Sequence, residues 1–378
     1  MKAVKLFILF ILILSGCNKT NVEEIVCKFD APRRRKVSFV GVGDNLIHGS
    51  INRSSRKEDG TYDFTNLYEY VVDDIQKSDI AFINQETPLG GVSLGISGYP
   101  MFNSPIEMVK NLHDIGFDLV NLASNHSLDR FEKGIMNELN EFDKFENMVV
   151  DGVYRSQEEY DAIPIFEKKG IKFSLLSYTY GTNGIESPNS YNVSYFDEEQ
   201  IKKDVKKAKE ISDVIIVSAH WGEENSFSSS SYQKKYAKLF ADLEVDVVIG
   251  THPHVIQPIE WIQGKNGNET LVVYSLGNFI GGMLGVNNAI SGMIQFDFVK
   301  MDGNITVENV SWEPLFIHFE RYGSDIVDDR NNYKVYHVSE YTDDLAKKHA
   351  LNGYDGQVVS LDYIHSITKK VIGSDYLE

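Results

Sequence analysis

The chain is 378 residues long and carries 37 Lys or Arg against 55 Asp or Glu, a net charge of −18. This charge excludes a nucleic-acid binder that works through a broad basic surface, because such proteins neutralise phosphates with clustered Lys and Arg. A hydrophobic content of 42% and an aromatic content of 12% indicate a packed globular protein and exclude an acidic disordered chain. The two cysteines, Cys17 and Cys27, are too few for a disulfide framework or a cysteine-rich zinc site.

The first 17 residues have the pattern of a bacterial lipoprotein signal. Lys2 and Lys5 precede nine consecutive apolar residues, 6–14, a run shorter than the roughly 20 residues of a membrane span. Small residues then lead directly into Cys17, which resembles the lipobox at which the signal is removed and the cysteine is lipidated. We therefore expect residues 1–17 to be a signal segment that ends at a lipidated Cys17. The alternatives are a plain secretory signal and a buried cysteine.

Residues 18–36 follow as a polar segment that ends in four consecutive basic residues, 33–36. This composition suits a tether beside an anionic membrane surface, and a solvated linker without a specific partner is the plainer interpretation. Residues 1–36 hold eight Lys or Arg against three Asp or Glu, so the rest of the chain is more acidic than the average suggests. The sequence thus predicts an extracytoplasmic, membrane-anchored lipoprotein with an acidic body on a short basic tether.

Six short apolar runs in the body end abruptly in polar residues. Continuous apolar runs of this length indicate strands that are buried on both faces. The runs are residues 36–42, 79–83, 117–123, 213–219, 245–250 and 271–275. Amphipathic patterns with helical spacing occur at residues 107–115, 199–211 and 232–243. Strands that alternate with helices predict an α/β architecture with covered sheets. An antiparallel hairpin around Asp302-Gly303 and a helix near residues 363–372 are predicted further on.

Polar residues with the chemistry of metal ligands follow these runs. In open α/β sheets the functional crevice lies beyond the carboxyl ends of the strands, which is where these residues fall. Their carboxylate, amide and imidazole groups are donors that divalent metals take. They are Asp44, Glu86, Asn125, His126, His220, His252 and His254. Residues two apart on an extended segment point the same way, so we expect His252 and His254 to face one site.

Six motifs occur in order along this part of the chain. They are VGDNLIHG at 42–49, NQETPLGG at 84–91, NLASNHSLD at 121–129, HWGEE at 220–224, GTHPHVIQ at 250–257 and YSLGNF at 274–279. Together they resemble the bacterial capsule-biosynthesis proteins of the CapA type, linked to poly-γ-glutamate synthesis or export, within the calcineurin-like metallophosphatase superfamily. The resemblance covers residues 37–320 and implies a four-layer α/β/β/α sandwich of two mixed sheets flanked by helices. Residues 321–378 are expected to form an extension packed on this domain.

The resemblance also implies a metal centre of one or two divalent ions, with Mn, Zn, Fe and Mg as candidates. The implied ligands are Asp44, Glu86, Asn125, His220, His252 and His254. The implied catalytic residues are His126, which would protonate the leaving group, and Asp44. The pocket residues predicted beside them are Trp221, Glu223 and Asn278. Trp221, next to His220, is interpreted either as a stacking platform for a sugar or peptide ring or as a packing residue.

Two positions depart from the superfamily pattern. Metallophosphatases commonly have a histidine two residues after the first aspartate, where this chain has Leu46, so one metal position loses an imidazole. They also use aspartate where this chain has Glu86, whose longer side chain would alter any bridging geometry. The number of metal ions therefore stays open between one and two.

Three functions are compatible with these features. The first is a membrane-tethered metalloprotein in the synthesis or export of poly-γ-glutamate or another anionic capsule polymer. It would act as a hydrolase or transferase, with capsule synthase or export proteins as partners. The second is a surface metallophosphoesterase that acts on phosphoesters and has no capsule role. The third is a degenerate centre in a polymer-binding scaffold. The first two functions require a bound divalent metal and the third does not, so the metal content of the purified protein distinguishes the third from the first two.

Overall fold

The computed structural model describes residues 34–377, in which the apolar runs form strands and the amphipathic patterns form helices. The strands are β1 (Arg35–Asn45), β2 (Ile80–Gln85), β3 (Leu119–Asn121), β4 (Val149–Asp151), β5 (Ile165–Lys168), β6 (Ile171–Thr179), β7 (Val214–His220), β8 (Val247–Thr251), β9 (Ile256–Gln263), β10 (Glu269–Leu276), β11 (Asn278–Ile280), β12 (Ile290–Met301), β13 (Asn304–Arg321) and β14 (Arg330–His337). The helices are α1 (Gly49–Ser54), α2 (Val72–Lys77), α3 (Glu107–Ile115), α4 (Phe131–Phe142), α5 (Gln157–Asp161), α6 (Glu198–Ile211), α7 (Ser231–Asp242), α8 (Val286–Ala289), α9 (Asp343–Lys348) and α10 (Leu361–Ile372).

The predicted signal segment and most of the predicted tether, with Cys17 and Cys27, lie outside the described residues. Between residues 34 and 377, no helix is both long enough and apolar enough to cross a bilayer.

The strands form two mixed sheets. The first has the order β14-β13-β12-β1-β2-β3-β4, with β11 paired to the end of β1, and the second has the order β5-β6-β7-β8-β10-β9. In the first sheet, β1 to β4 run parallel to one another, and β11 is parallel to β1. In the second sheet, β6, β7, β8 and β10 run parallel to one another. All other neighbouring strands are antiparallel. Because the parallel strands of each sheet share a direction, their carboxyl ends meet at one edge of that sheet.

Strand β7 shows how the layers pack. Its side chains alternate: Val214 and Ile216 belong to the core that joins the two sheets, whereas Ile215 and Val217 pack with α6 and α7 on the outer side. The core that joins the sheets includes an edge-to-face contact of Phe173 on β6 with Phe298 on β12, with ring centroids 5.2 Å apart. A strand covered on both faces has a nearly continuous apolar sequence, as β7 does from Val214 to Val217. The expected architecture of two mixed sheets flanked by helices is confirmed.

The predicted helices and the hairpin are present with small shifts in their boundaries. Helix α3 has the predicted bounds, and α6 and α7 each begin one residue early because Asp197 and Ser230 cap them. Ser230 and Gln233 form a reciprocal capping box. The hairpin joins β12 to β13 through Asp302 and Gly303, both with positive φ.

One central strand was not predicted. Strand β6 lies between β5 and β7 in the second sheet and is buried along most of its length. Lys172, Ser174 and Ser177 interrupt its apolar pattern, which is why no continuous run marks it in the sequence. Ser174 and Ser177 are nevertheless almost completely buried.

Residues 321–377 extend the first sheet and then reach the second. Strand β14 pairs with β13, and helix α10 packs against β9 at the edge of the second sheet. His349, between α9 and α10, is held by Ile317 O, 3.1 Å from its Nε2, and by the N–H of Leu351, 3.1 Å from its Nδ1. The two bonds fix the ring and tie this segment to β13.

Glu138 on α4 anchors the loop that follows β2. Its side chain is buried, and one carboxylate oxygen accepts the backbone N–H of Leu89 at 3.0 Å, three residues beyond Glu86. Burial raises the pKa of Glu138 to about 8. Glu138 therefore couples the protonation of a core carboxyl group to the segment that carries Glu86.

We expect Glu138→Gln to remove a pH dependence of stability. Because the folded pKa exceeds the ordinary value of 4.5, the stabilisation from this group is complete below pH 4.5 and is lost as the pH rises through 8. Its contribution to the slope is at most about 1.4 kcal/mol per pH unit. Chemical denaturation of the wild type and the variant between these pH values measures how the free energy of unfolding changes with pH. Plots of this free energy against pH that stay parallel for the two proteins would contradict the raised pKa of Glu138.

Candidate metal centre

Polar side chains from both sheets converge at the carboxyl ends of the parallel strands. Each predicted ligand lies at the end of a strand or in the turn that follows it. Each of these ligands, and likewise His126 and Asn278, has a side chain that is at most 6% exposed. The converging residues are Asp44, Glu86, Asn125, His126, His220, His252, His254 and Asn278. The topology explains their meeting, because β1, β2, β3, β7 and β8 end on the same side of the sandwich.

Glu86 lies in the middle of this cluster. Its Oε1 is 3.6 Å from His254 Nε2 and 3.9 Å from His220 Nε2. Both carboxylate oxygens are buried, and neither has a hydrogen-bond partner among residues 34–377. Burial raises the pKa of Glu86 well above its usual range, and the nearby His254 only partly opposes this. A buried carboxylate without donors carries a large desolvation cost.

Asp44 at the end of β1 is held by hydrogen bonds from three directions. Its Oδ1 accepts the side-chain amide of Asn84 at 2.8 Å, and both oxygens lie 3.3 Å from the backbone nitrogen of His252. Its Oδ2 is 3.0 Å from His254 Nδ1. Burial alone would lower the pKa of His254, but Glu86 and Asp44 outweigh burial and raise it to about 10.

His252 and His254 reach the centre by a different backbone path from the one predicted. Their φ values are 96° and 58°, in the left-handed region, so the prediction of an extended segment is wrong. Strand β8 ends at Thr251, and the N–H of His252 then points to Asp44. Each such conformation costs on the order of 1–3 kcal/mol and persists only where its surroundings enforce it. The N–H of Asn225, which donates to Pro253 O at 2.8 Å, adds to this restraint.

His220 at the end of β7 is fixed through both ring nitrogens. Its Nδ1 is 3.0 Å from Thr251 Oγ1, and its Nε2 is 2.9 Å from Asn125 Oδ1. Burial lowers the pKa of His220 and of His252 well below their usual range, so both imidazoles are neutral near pH 7. The neutral imidazole is the form that binds metals.

Among residues 34–377, two groups of side chains have the spacing needed to hold a metal ion. Glu86, His252 and His254 form one, and Asp44, Glu86 and His220 form the other, with the ligand atoms of each group within 4.8 Å of one another. Glu86 is common to both. Its unpartnered oxygens and the unpartnered Nδ1 of His252 are buried atoms that a cation would satisfy, as judged among the described residues. Oxygen and imidazole donors of this kind suit a divalent metal.

His126 stands beside the cluster and is paired with Asp129, a residue that the sequence reasoning did not single out. The Nδ1 of His126 is 2.8 Å from Asp129 Oδ2, which also accepts the N–H of Phe102 at 2.7 Å. The ring of Phe102 meets the imidazole edge to face at 4.7 Å between centroids. The carboxylate of Asp129 orients the imidazole ring of His126. In the sequence, the only indication of this pairing is that Asp129 follows His126 by three residues in the same motif.

The predicted pocket residues take different places. Trp221 is completely buried, donates from Nε1 to Tyr274 O at 3.0 Å and stacks against Phe196, so its assignment to the pocket is wrong. Asn278 is buried, with Oδ1 3.0 Å from His254 Nδ1, and Glu223 is exposed.

Leu46 is 3% exposed, so an apolar side chain occupies the core where the superfamily pattern has a histidine.

Tyr180, which follows β6, was not predicted as a site residue. It is 42% exposed, and its ring centroid lies 4.6 Å from that of His252 at the open side of the cluster. Because β6 itself was not predicted, nothing in the sequence pointed to this residue.

The chain is similar in sequence to curated proteins of known name, and its fold is similar to that of a solved structure. The PGA biosynthesis protein CapA of Bacillus subtilis (strain 168) is 28% identical over 271 residues, which cover 70% of this chain and 67% of that protein. The capsule biosynthesis protein CapA of Bacillus anthracis is 26% identical over 287 residues, which cover 72% of this chain and 66% of that protein. Among solved structures, the calcineurin-like phosphoesterase YfkN from Bacillus subtilis superposes with a TM-score of 0.46 and 16% identity, covering 75% of this chain and 91% of that chain.

The family model described as bacterial capsule synthesis protein PGA_cap matches residues 38–283, well over half of the chain and including all six motifs. This chain therefore belongs to the PGA_cap family of bacterial capsule synthesis proteins.

Proposed function

We propose that this protein is a membrane-tethered, metal-dependent hydrolase or transferase that acts on an anionic capsule polymer of the poly-γ-glutamate type. The observation that carries this proposal is the buried, unpartnered carboxylate of Glu86 among His220, His252 and His254. Membership of the capsule synthesis family and the names of the two CapA relatives support a capsule polymer as the substrate.

The residues that would hold the metal are Asp44, Glu86, His220, His252 and His254. Asn125, whose Oδ1 lies 2.9 Å from His220 Nε2, is the remaining candidate ligand. A divalent cation bound there supplies a Lewis acid for a phosphoryl or acyl oxygen. The chain itself supplies rigidity: Asn84 and the N–H of His252 fix Asp44, and Thr251 fixes His220 through Nδ1, the ring nitrogen that faces away from Glu86. Side chains held in this way need little rearrangement during a reaction.

His126 is the proton donor in this proposal. Its Nδ1 is hydrogen-bonded to Asp129, so Nε2 is the atom that can present a proton to a departing oxygen or nitrogen. Burial of both residues keeps bulk water away from this pair.

The lipid on Cys17 and the tether at residues 18–36 would keep this centre at the membrane surface, where a growing polymer is exported. The acidic body repels a polyanion from a distance, although salt screens that repulsion beyond roughly 8 Å. An anionic polymer must therefore be captured by local contacts at the centre. Capsule synthase or export proteins are the partners expected for such a protein.

We expect purified protein that lacks residues 1–17 to contain stoichiometric divalent metal. Glu86→Gln and His252→Ala should each lower metal affinity by more than the 10- to 100-fold typical of losing an outer-shell partner, because each removes a ligand. Elemental analysis and metal titration measure this. His365→Ala, at an exposed histidine on α10, is the matched control and should retain its metal. A metal-free, well-folded wild type would contradict the proposal and favour the polymer-binding scaffold.

Turnover tests the reaction separately from metal binding. We expect the metal-loaded protein to cleave or transfer γ-glutamyl oligomers, and His126→Ala to lower the rate by about 10²–10⁴-fold while metal content stays unchanged. Asp129→Asn should act in the same direction with a smaller loss. Cleavage of phosphoesters alone would favour the surface metallophosphoesterase, and full activity in His126→Ala would rule out its role as the acid.

A further inference from the structure

A groove lined by uncharged residues lies next to the candidate metal centre, between the loop that carries α8 and the C-terminal extension. It has a volume of about 420 Å³, within the range of ligand sites in proteins. Residues from three separate parts of the chain line it, including Asn225 after β7, Asn287 and Asn288 on α8, and Gln357, Val358 and Tyr363 from the extension.

The C-terminal extension forms one wall of this groove through specific hydrogen bonds. Gln357 accepts the N–H of Val286 at 2.8 Å and donates to Leu284 O at 2.9 Å. The hydroxyl of Tyr363 donates to Asn287 Oδ1 at 2.7 Å. These bonds fix the wall in place, and the bond from Tyr363 leaves the amide N–H groups of Asn287 as donors that it can offer to a ligand.

Asn288 connects the groove to the metal centre. Its side-chain amide donates to Asn225 Oδ1 at 2.7 Å and to the backbone oxygen of His254 at 3.2 Å. Its own backbone oxygen accepts the side chain of Asn278, whose Oδ1 lies 3.0 Å from His254 Nδ1. One residue of the groove lining, Asn288, is therefore in direct contact with a candidate metal ligand.

The chemistry of the groove is unlike that of the rest of the surface. The protein is strongly acidic, yet none of the described residues that line the groove is charged. Carboxamide side chains offer donors and acceptors side by side, which matches the alternating N–H and C=O groups of an amide chain. Val358 is 65% exposed at its edge and adds an apolar contact. A polyanion bound in this groove would therefore not be repelled by a carboxylate of the lining residues.

We infer that this groove binds the segment of polymer next to the bond that reacts at the metal centre. Its ligand is an anionic polyamide, held by its backbone amides against the Asn and Gln side chains, with its carboxylates directed to solvent. This inference rests on the proposed function and adds the site that positions the polymer. It also assigns the C-terminal extension a role in substrate binding.

The test places opposite charges at the edge of the groove. Val358→Glu and Val358→Lys are compared in the full-length chain in detergent, by fluorescence anisotropy with a labelled γ-glutamyl oligomer. Val358→Glu should weaken binding about two- to fivefold and Val358→Lys should strengthen it by a similar factor, as expected for single exposed charges. The matched controls are Met301→Glu and Met301→Lys, at an exposed apolar residue at the opposite end of β12, and should leave the affinity unchanged.

The outcomes separate the groove from the proposed function. Opposite shifts at Val358 with no shift at Met301 support the inference. If the wild type binds and processes the oligomer but the Val358 variants bind like the wild type, the groove assignment is overturned and the proposed function stands. If the metal-loaded wild type does not bind the oligomer, or binds an uncharged glucose oligomer instead, both the groove assignment and the polyamide substrate are overturned. Metal analysis of the Val358 variants verifies that the centre is intact.

Discussion

The cost of burying the Glu86 carboxylate is the constraint on which the rest of the site depends. A carboxylate in the interior is tolerated when donors or a cation satisfy it, yet within residues 34–377 neither oxygen of Glu86 has a hydrogen-bond partner. The surrounding imidazoles and Asp44 are held by their own hydrogen bonds, so the protein maintains this unsatisfied arrangement. A divalent cation would satisfy the carboxylate and the histidines together, which accounts for an arrangement that is otherwise unfavourable.

Backbone strain at the same place supports this view. His252 and His254 both occupy the left-handed region, and the bonds from His252 N–H to Asp44 and from Asn225 N–H to Pro253 O enforce it. Strain in non-glycine residues clusters at functional sites because the surrounding structure must stabilise it. Asp44 thus does two things: it is a candidate ligand, and it shapes the turn that carries two others. Such a pre-formed turn limits the rearrangement required when a metal binds.

The sequence predicted the architecture and the membership of the site better than its geometry. Apolar runs followed by polar residues identify β1, β2 and β7 because parallel strands buried on both faces have that pattern, and their shared direction brings Asp44, Glu86 and His220 together. The turn at His252 depends on Asp44, 208 positions away in the chain, which no local pattern encodes. Trp221 adjoins a candidate ligand but points into the core behind it, a difference that depends on how Phe196 and Tyr274 pack.

The candidate centre, its acid and the neighbouring groove are built from separate parts of the described chain. The sandwich positions the centre, the loop after β3 supplies His126 and Asp129, and the C-terminal extension supplies one wall of the groove. Anomalous diffraction from crystals of the protein grown with Mn²⁺ tests directly whether a cation binds at Glu86. We expect an anomalous peak within bonding distance of Glu86 and at least two of His220, His252 and His254. A Glu86 carboxyl group that instead donates a hydrogen bond to its neighbours, with no peak beside it, would contradict cation binding at this site.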